Sequence, residues 1–169
     1  MVKRFGHKVA VFGGLFLGFF FLETTGLAKV SKGDRPLKQI KVTDADGKKV
    51  TNIGKKKIMV LTFGASWCAP CKKELVAYEK LAKKNKKNVS FVAINVDQDV
   101  GKGKAFMDAA GLKAMLGVFD DKQATMEYFE LPQMPSTYVL KNGKVVYVHG
   151  GYADGDDKKL DAELAKLIK

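Results

Sequence analysis

From residue 38 onward, the chain alternates between short apolar stretches typical of strands and longer stretches with the apolar spacing of amphipathic helices. This pattern predicts seven strands, at residues 40–43, 49–51, 58–63, 89–96, 116–119, 137–140 and 145–148. It also predicts four helices, at residues 69–84, 104–110, 122–129 and 156–168. The order of these elements is typical of an α/β domain in which helices flank a mixed central sheet.

Three local signals support these strands. Residues 58–63 form an almost continuous apolar run, as expected of a central strand that is covered on both faces. Asn142 and Gly143 separate the last two strands, and this dipeptide is the strongest short signal for a β-hairpin. A turn sequence at residues 44–47 joins the first two strands and predicts a further hairpin at the start of the domain.

The beginning of the chain differs from the rest. A basic stretch within residues 1–8 precedes an uncharged apolar stretch over 9–22, and small residues suited to a signal peptidase follow it. This arrangement predicts an export signal at 1–28, a linker at 29–37 and a folded domain at 38–169. An uncleaved membrane anchor and a buried core helix are the alternatives, although a membrane span needs about 20 apolar residues. Export would place the protein in the periplasm or another extracytoplasmic compartment, where a disulfide persists.

The composition limits the possible partners and sites. Thirty lysines and arginines outnumber 18 acidic residues, which gives a net charge of +12, and only Arg4 and Arg35 are arginines. Because arginine is the preferred reader of phosphates and base edges, this balance argues against sequence-specific nucleic-acid binding. The two cysteines are too few for a multi-disulfide scaffold or a four-thiolate zinc site, and no metal site is expected.

Both cysteines lie where the predicted strand over 58–63 gives way to the first long helix. Their spacing, Cys68-Ala69-Pro70-Cys71, brings the two thiols onto one helix face, close enough for a disulfide. Cys68 is predicted at the helix N-terminus, where orphan N–H groups and the helix dipole stabilise a thiolate, so it is the expected attacking sulfur. Cys71 lies one turn inside the helix and would resolve the mixed disulfide. A static disulfide or two buried thiols are the alternatives, but so small a ring would add little stability.

Three segments of the chain carry the pattern of a known family. Trp67–Cys71 follows a hydrophobic strand, Cys71–Leu75 opens the helix, and Met134–Thr137 leads into a later strand. Together they resemble the active site, the active-site helix and the cis-proline segment of the exported TlpA/ResA group within the thioredoxin-like superfamily. The resemblance covers residues 38–169. It implies a thioredoxin-like α/β fold, a mixed sheet flanked by helices, with an added N-terminal β-hairpin.

The resemblance also implies roles for the residues around the cysteine pair. Pro135 is expected to be cis and to face the cysteines, while Met134 offers backbone groups to an extended substrate strand. Trp67 is expected to shape the rim of the site. Ala69 and Pro70, the two residues between the cysteines, are expected to influence the redox potential, although their identity does not predict its value.

Glu74 is the candidate for proton transfer. It lies three positions after Cys71 on the same helix face, and in ResA-like proteins a glutamate at this position is thought to assist the buried cysteine. Many thioredoxins use an aspartate on the preceding strand, where this chain has Thr62. A carboxylate half-buried near a thiol would have a raised pKa, as a general base near neutral pH requires. The alternative is a surface glutamate that pairs with nearby lysines.

These observations predict an exported thiol–disulfide oxidoreductase that reduces disulfides in client proteins, without a cofactor because the two sulfurs hold both electrons. The resemblance implies a membrane thiol-transfer protein as electron donor and a role in cytochrome c maturation. No nucleic-acid partner is expected, and membrane contact is expected only if the N-terminal segment is retained. One alternative is a dithiol oxidase that introduces disulfides. Another, less favoured, is a copper chaperone in which His149 would join the cysteines as a ligand.

Overall fold

The computed structural model describes residues 30–169, and within this range the chain forms seven strands, four α-helices and one short 3-10 helix, Pro36–Gln39. The strands are β1 (Val42–Thr43), β2 (Lys49–Val50), β3 (Ile58–Gly64), β4 (Val89–Asn95), β5 (Leu116–Phe119), β6 (Ser136–Lys141) and β7 (Lys144–Gly150). The α-helices are α1 (Ala69–Asn85), α2 (Val100–Ala110), α3 (Ala124–Phe129) and α4 (Asp156–Ile168).

All seven strands belong to one mixed sheet with the order β2-β1-β5-β4-β3-β6-β7. β3, β4 and β5 run parallel to one another. On one side, β6 pairs antiparallel with both β3 and β7, and on the other side, β1 pairs antiparallel with both β5 and β2. β3 is paired on both sides, and all of its residues are buried, as its continuous apolar sequence predicts. The strand that leads to the cysteines therefore lies in the middle of the sheet.

The sheet separates two hydrophobic clusters because alternate residues of a strand point to opposite faces. Ile58 and Val60 of β3 belong to the cluster that contains residues of α1, α2 and α4 and both cysteines. Met59, Leu61 and Phe63 belong to the cluster on the other face, which contains residues of α3 and of the segment before β1. Three helices thus cover one face of the sheet, and α3 with the N-terminal segment covers the other.

The predicted fold class is confirmed, and the structure differs from the predicted elements mainly at their ends. α2 begins at Val100 rather than at Lys104, because the Asp99 side chain caps the helix by accepting the backbone N–H of Lys102. α3 begins at Ala124, later than predicted, because Gln123 has a left-handed backbone conformation with φ 55°. The hairpin at Asn142 and Gly143 is present, and both residues have positive φ, as such a two-residue turn requires.

Residues 30–37, which the sequence predicts to be part of a linker, pack against the domain. The side chain of Val30 is buried, and the backbone N–H of Gly33 donates to the Val145 carbonyl at 2.9 Å. The N–H of Val145 donates in turn to the Asp34 carbonyl at 2.9 Å. The segment therefore covers the start of β7, the outer strand on that side of the sheet. Its short, irregular path has no repeating apolar pattern, and so the sequence did not reveal this packing.

The predicted export signal at residues 1–28 lies outside the described residues. Within residues 30–169, no helix is both long enough and apolar enough to cross a membrane.

Candidate redox site

The two cysteines form a disulfide at the junction between β3 and α1. Cys68 is the N-cap residue of α1, and Cys71 lies in its first turn. The side chain of Cys71 is fully buried, whereas Cys68 retains 5% of its exposure. Pro70 lies at the start of the helix, where its missing N–H costs no hydrogen bond. The sulfur that is predicted to attack is thus the more accessible one, and it lies at the positive end of the helix dipole.

Trp67 marks the outer edge of the site. Its side chain is 66% exposed, although it is the residue immediately before Cys68. Ala69 and Pro70 are also exposed. The surface next to Cys68 therefore carries a large apolar side chain, which fits the predicted position at the rim of the site.

The cis-proline segment lies beside the end of β3. The Met134–Pro135 peptide bond is cis, as the resemblance implies. The β3–β6 ladder ends with the pair Phe63 and Ser136, so Gly64 and Pro135 lie opposite each other just beyond it. Pro135 is buried, and its carbonyl accepts the N–H of Gly151 at 2.7 Å.

Gly64 allows β3 and α1 to approach closely. A Cβ atom added at Gly64 would lie 3.2 Å from Cβ and 3.5 Å from Sγ of Cys71. The end of β3 therefore lies directly against the buried cysteine. Pro135 lies just beyond the end of the β3–β6 ladder, next to Gly64. The structure therefore brings the cis-proline segment and the cysteine pair together at one end of the central strands.

Glu74 is buried one turn below Cys71 and is held by two threonines. Its Oε2 atom accepts a hydrogen bond from the Thr62 hydroxyl at 2.5 Å, and its Oε1 atom accepts one from the Thr137 hydroxyl at 2.8 Å. The hydroxyl of Tyr78 lies 3.3 Å from that of Thr137. The alternative of a surface glutamate that pairs with lysines is wrong, because the residue is only 1% exposed.

Burial raises the pKa of the Glu74 carboxyl from 4.5 to about 7. Hydrogen bonds from Thr62, Thr137 and Tyr78 favour the charged form and offset part of this effect, while the negative charge of Asp156 raises the pKa further. Near neutral pH, the protonated and ionised forms of this carboxyl are therefore both populated. This is the range in which a group can both accept and release a proton.

A second polar group holds the loop that precedes Cys68. Oδ2 of Asp97 accepts the backbone N–H of Ser66 at 2.8 Å and the side-chain amide of Asn95 at 2.8 Å. Its Oδ1 atom accepts the Ser66 hydroxyl at 2.8 Å. Asn95 and Asp97 are both buried. Sequence reasoning missed this group, and the only available signal was the pair of polar residues at the end of an apolar strand.

An open pocket of about 520 Å³ adjoins Cys68, and its lining is partly basic. Ala69 and Phe106 contribute apolar surface, and Lys72 and Lys102 lie at its edge. Within residues 30–169, neither lysine is paired with a carboxylate. The surface beside Cys68 is therefore positively charged on the side of α2.

His149 takes part in a separate contact. Its Nε2 atom lies 3.0 Å from Oδ2 of Asp156, and Asp156 also pairs with Lys159 at 2.8 Å. Hydrogen bonds from Lys159, from the backbone N–H of Ala153 and from His149 lower the pKa of the Asp156 carboxyl to about 2. In the part of the chain that the structure describes, no three histidine, cysteine or acidic side chains form a group that could hold a metal ion.

Comparison with known proteins agrees with this geometry. The Redoxin family model matches residues 32–164. The chain is similar to the thioredoxin-like protein YneN of Bacillus subtilis, with 31% identity over 112 residues, which covers 64% of this chain and 59% of YneN. It is also similar to the thiol-disulfide oxidoreductase ResA of Bacillus anthracis, with 33% identity over 108 residues, 62% of each chain. The chain thus spans about three fifths of the length of these curated relatives.

A solved structure supports the fold. The chain is similar to a secreted Mycobacterium tuberculosis disulfide oxidoreductase homologous to E. coli DsbE, with a TM-score of 0.67 and 20% identity. The similarity covers 79% of this chain and 100% of that one. The predicted resemblance to the ResA group is confirmed by these relatives. Because the Redoxin match extends over most of the chain and includes both cysteines, the protein belongs to the Redoxin family, with a thioredoxin-like fold.

Proposed function

We propose that the protein is an exported thiol–disulfide oxidoreductase that reduces disulfides in client proteins. The observation that carries this proposal is the cysteine pair at the start of α1, with Cys68 slightly exposed, at 5%, and Cys71 fully buried. So small a disulfide ring would be a poor structural crosslink, because it removes little chain entropy from the unfolded state. Its position at a helix N-terminus is instead suited to thiol–disulfide exchange.

In the first step, the thiolate of reduced Cys68 attacks one sulfur of a client disulfide. A bond forms between Cys68 and that sulfur, the client disulfide breaks, and its second sulfur leaves as a thiolate that takes up a proton. The N-terminal N–H groups of α1 and the helix dipole stabilise the attacking thiolate. The exposed Trp67 and the backbone of Met134 beside the cis Pro135 are proposed to contact the client.

In the second step, Cys71 attacks Sγ of Cys68 and displaces the client. The client leaves as a thiol, the Cys68–Cys71 disulfide is restored, and two electrons have passed from the protein to the client. The Cys71 thiol must lose its proton before it attacks. Glu74 lies one turn further along the same helix, and its raised pKa makes it the proposed acceptor of this proton.

Reduction is the proposed direction, and it requires a source of electrons. We propose a membrane thiol-transfer protein as this donor, and clients that include proteins of cytochrome c maturation. The resemblance to the ResA group supports both parts of this proposal. Export by residues 1–28 would place the reaction outside the cytoplasm, where clients hold disulfides.

Trapping of the mixed disulfide tests the proposal. The substitution Cys71→Ala removes the resolving thiol, so the full chain is expected to accumulate covalent complexes with clients through Cys68. These complexes would be visible on non-reducing gels and would disappear after reduction. The matched variant Cys68→Ala keeps one cysteine but is expected to trap nothing. Equal trapping by the two variants, or none by either, would contradict the proposed mechanism.

A further inference from the structure

A surface pocket of about 570 Å³ lies between α3 and the cis-proline segment. We refer to it as the α3 pocket, and it is lined by Met126, Glu127, Glu130, Leu131, Gln133 and Met134. The pocket beside Cys68 has two lysines, Lys72 and Lys102, in its lining. The α3 pocket thus differs in charge from the pocket beside Cys68.

The lining of the α3 pocket has an apolar and an acidic part. Met126, Leu131 and Met134 are half-buried and pack onto the hydrophobic cluster beneath α3. Methionine adapts easily to different side chains, because it is unbranched and polarisable. Glu127 and Glu130 are exposed, and within residues 30–169 neither carboxylate has a cation or a hydrogen-bond donor as partner. An apolar surface therefore lies beside two unpaired negative charges, in a chain whose net charge is +12.

The α3 pocket is continuous with the redox site. Met134 lines the pocket and also packs against the cluster that contains Cys68 and Cys71. It is joined to Pro135, which lies opposite Gly64 just beyond the last pair of the β3–β6 ladder, and Gly64 lies against Cys71. A client segment whose cysteine reaches Cys68 past the cis-proline would therefore extend over this pocket.

We propose that the α3 pocket selects client segments in which an apolar side chain and a lysine or arginine lie near the reacting cysteine. The apolar side chain would contact the methionines and Leu131, and the cation would pair with Glu127 and Glu130. This inference rests on the proposed function, because it concerns the substrates of the same cysteine pair. Exposed ion pairs are individually weak, but attraction between opposite charges speeds the encounter of two partners.

The test compares peptide substrates that differ in one charge. Three peptides share one internal disulfide and a leucine beside a cysteine, and carry lysine, glutamine or glutamate at the next position. The reduced full chain is mixed with each peptide, and chromatography measures the second-order rate constant of peptide reduction. At low salt, the lysine peptide is expected to react about fivefold faster than the glutamate peptide. The advantage should fall as salt is added. Replacing leucine by serine in the lysine peptide should slow it several-fold.

Variants of the pocket separate its effect from the general charge of the protein. In the double variant E127Q/E130Q, the ratio of the lysine and glutamate rates is expected to fall to about one or below, because Lys72 and Lys102 remain beside Cys68, while the glutamine peptide reacts as before. The control D157N/E163Q removes two negative charges from α4 and should keep the ratio. Because all three peptides meet the same Cys68 thiolate, a change in its reactivity cannot alter the ratio.

Three results would overturn the proposal. They are equal rates for the three peptides with the unmodified chain, a ratio that persists in E127Q/E130Q, and a ratio that depends on protein concentration. The last of these would show that a second copy of the chain occupies the pocket. If no peptide is reduced and Cys71→Ala traps no client, the proposed function itself fails, and the inference fails with it.

Discussion

Thr62 of β3 and Thr137 of β6 are directly paired in the antiparallel ladder, and their hydroxyls donate to the two oxygens of one buried carboxylate. That carboxylate belongs to Glu74, so the threonines tie α1 to two central strands. Thr137 also follows Pro135 by two residues. The hydrogen bond between Thr137 and Glu74 therefore links α1, which carries the cysteines, to the segment that contains the cis peptide bond.

The first prediction concerns the pH dependence of stability. Since burial raises the pKa of Glu74 from 4.5 to about 7, the folded protein binds a proton that the unfolded chain releases. The contribution of this group to stability is fully present below about pH 4.5 and is lost as the pH rises through about 7. The loss amounts to about 3 kcal/mol. The variant Glu74→Gln should lack this loss, as measured by urea unfolding of the oxidised protein at pH 4.5 and pH 8.

A surface control isolates the effect of Glu74. Glu163→Gln removes a half-buried carboxylate of α4 that pairs with Lys166, but it keeps Glu74, so the loss of stability between the two pH values should persist. If Glu74→Gln and the unmodified chain lose equal stability between the two pH values, then folding does not raise the pKa of Glu74, contrary to its buried position.

The second prediction has the opposite sign and concerns another glutamate of α1. Burial raises the pKa of Glu79, but hydrogen bonds from the backbone N–H groups of residues 113–115 and from Lys83 outweigh this effect and leave the pKa lowered. The stability that Glu79 provides is therefore present above about pH 4.5 and is lost as the pH falls through its folded-state pKa. Glu79→Gln leaves backbone donors poorly paired and should cost about 1–3 kcal/mol at pH 7.

Urea unfolding across the pH range distinguishes the two glutamates. The destabilisation caused by Glu79→Gln should shrink towards pH 3, whereas the relative stability of Glu74→Gln should increase between pH 4.5 and pH 8. A destabilisation by Glu79→Gln that is the same at all pH values would show that the hydrogen bonds of this carboxylate do not depend on its charge.

The third prediction concerns the polar group that holds the loop before Cys68. A Cβ atom added at Gly103 of α2 would lie 2.7 Å from Cγ of the buried Asn95, which donates to Asp97. Gly103→Ala should therefore displace Asn95, destabilise the protein by about 2–3 kcal/mol, and slow the attack of Cys68 on a small disulfide because Asp97 no longer holds Ser66 in place.

Gly101 provides a matched control in the same helix. An added Cβ atom there would meet Oδ1 of the exposed Asp99, the oxygen that caps α2, at 3.1 Å. Because the helix preference of alanine offsets the small shift that Asp99 must make, Gly101→Ala should change the stability by no more than about 1 kcal/mol. Thermal unfolding and thiol reactivity measure both variants. Equal effects of the two substitutions would contradict the close packing of α2 against Asn95.

The parts of the site that sequence could predict are those set by local pattern. The apolar run of β3, the start of α1 at the cysteine pair and the position of Glu74 one turn after Cys71 all follow from short-range spacing. The threonine partners of Glu74 do not, because Thr62 and Thr137 meet only through the register of β3 and β6. In the sequence alone, Thr62 is notable only as a departure from the thioredoxin pattern.

The same limit applies to the loop before Cys68. The contact between Ser66 and Asp97 joins residues from two strand ends, and no spacing within the sequence indicates it. Long-range hydrogen bonds of this kind depend on which strands are neighbours in the sheet, whereas amphipathic spacing reports only which face of an element is buried.

The reduction potential of the Cys68–Cys71 couple tests the central claim most directly. It can be measured by equilibrating the full chain with glutathione or dithiothreitol at known ratios and trapping the free thiols. A protein that donates electrons to clients should give a value near or below about −220 mV, towards that of thioredoxin. A value near about −120 mV, where strong oxidants such as DsbA lie, would contradict the proposed direction and make the protein a donor of disulfides.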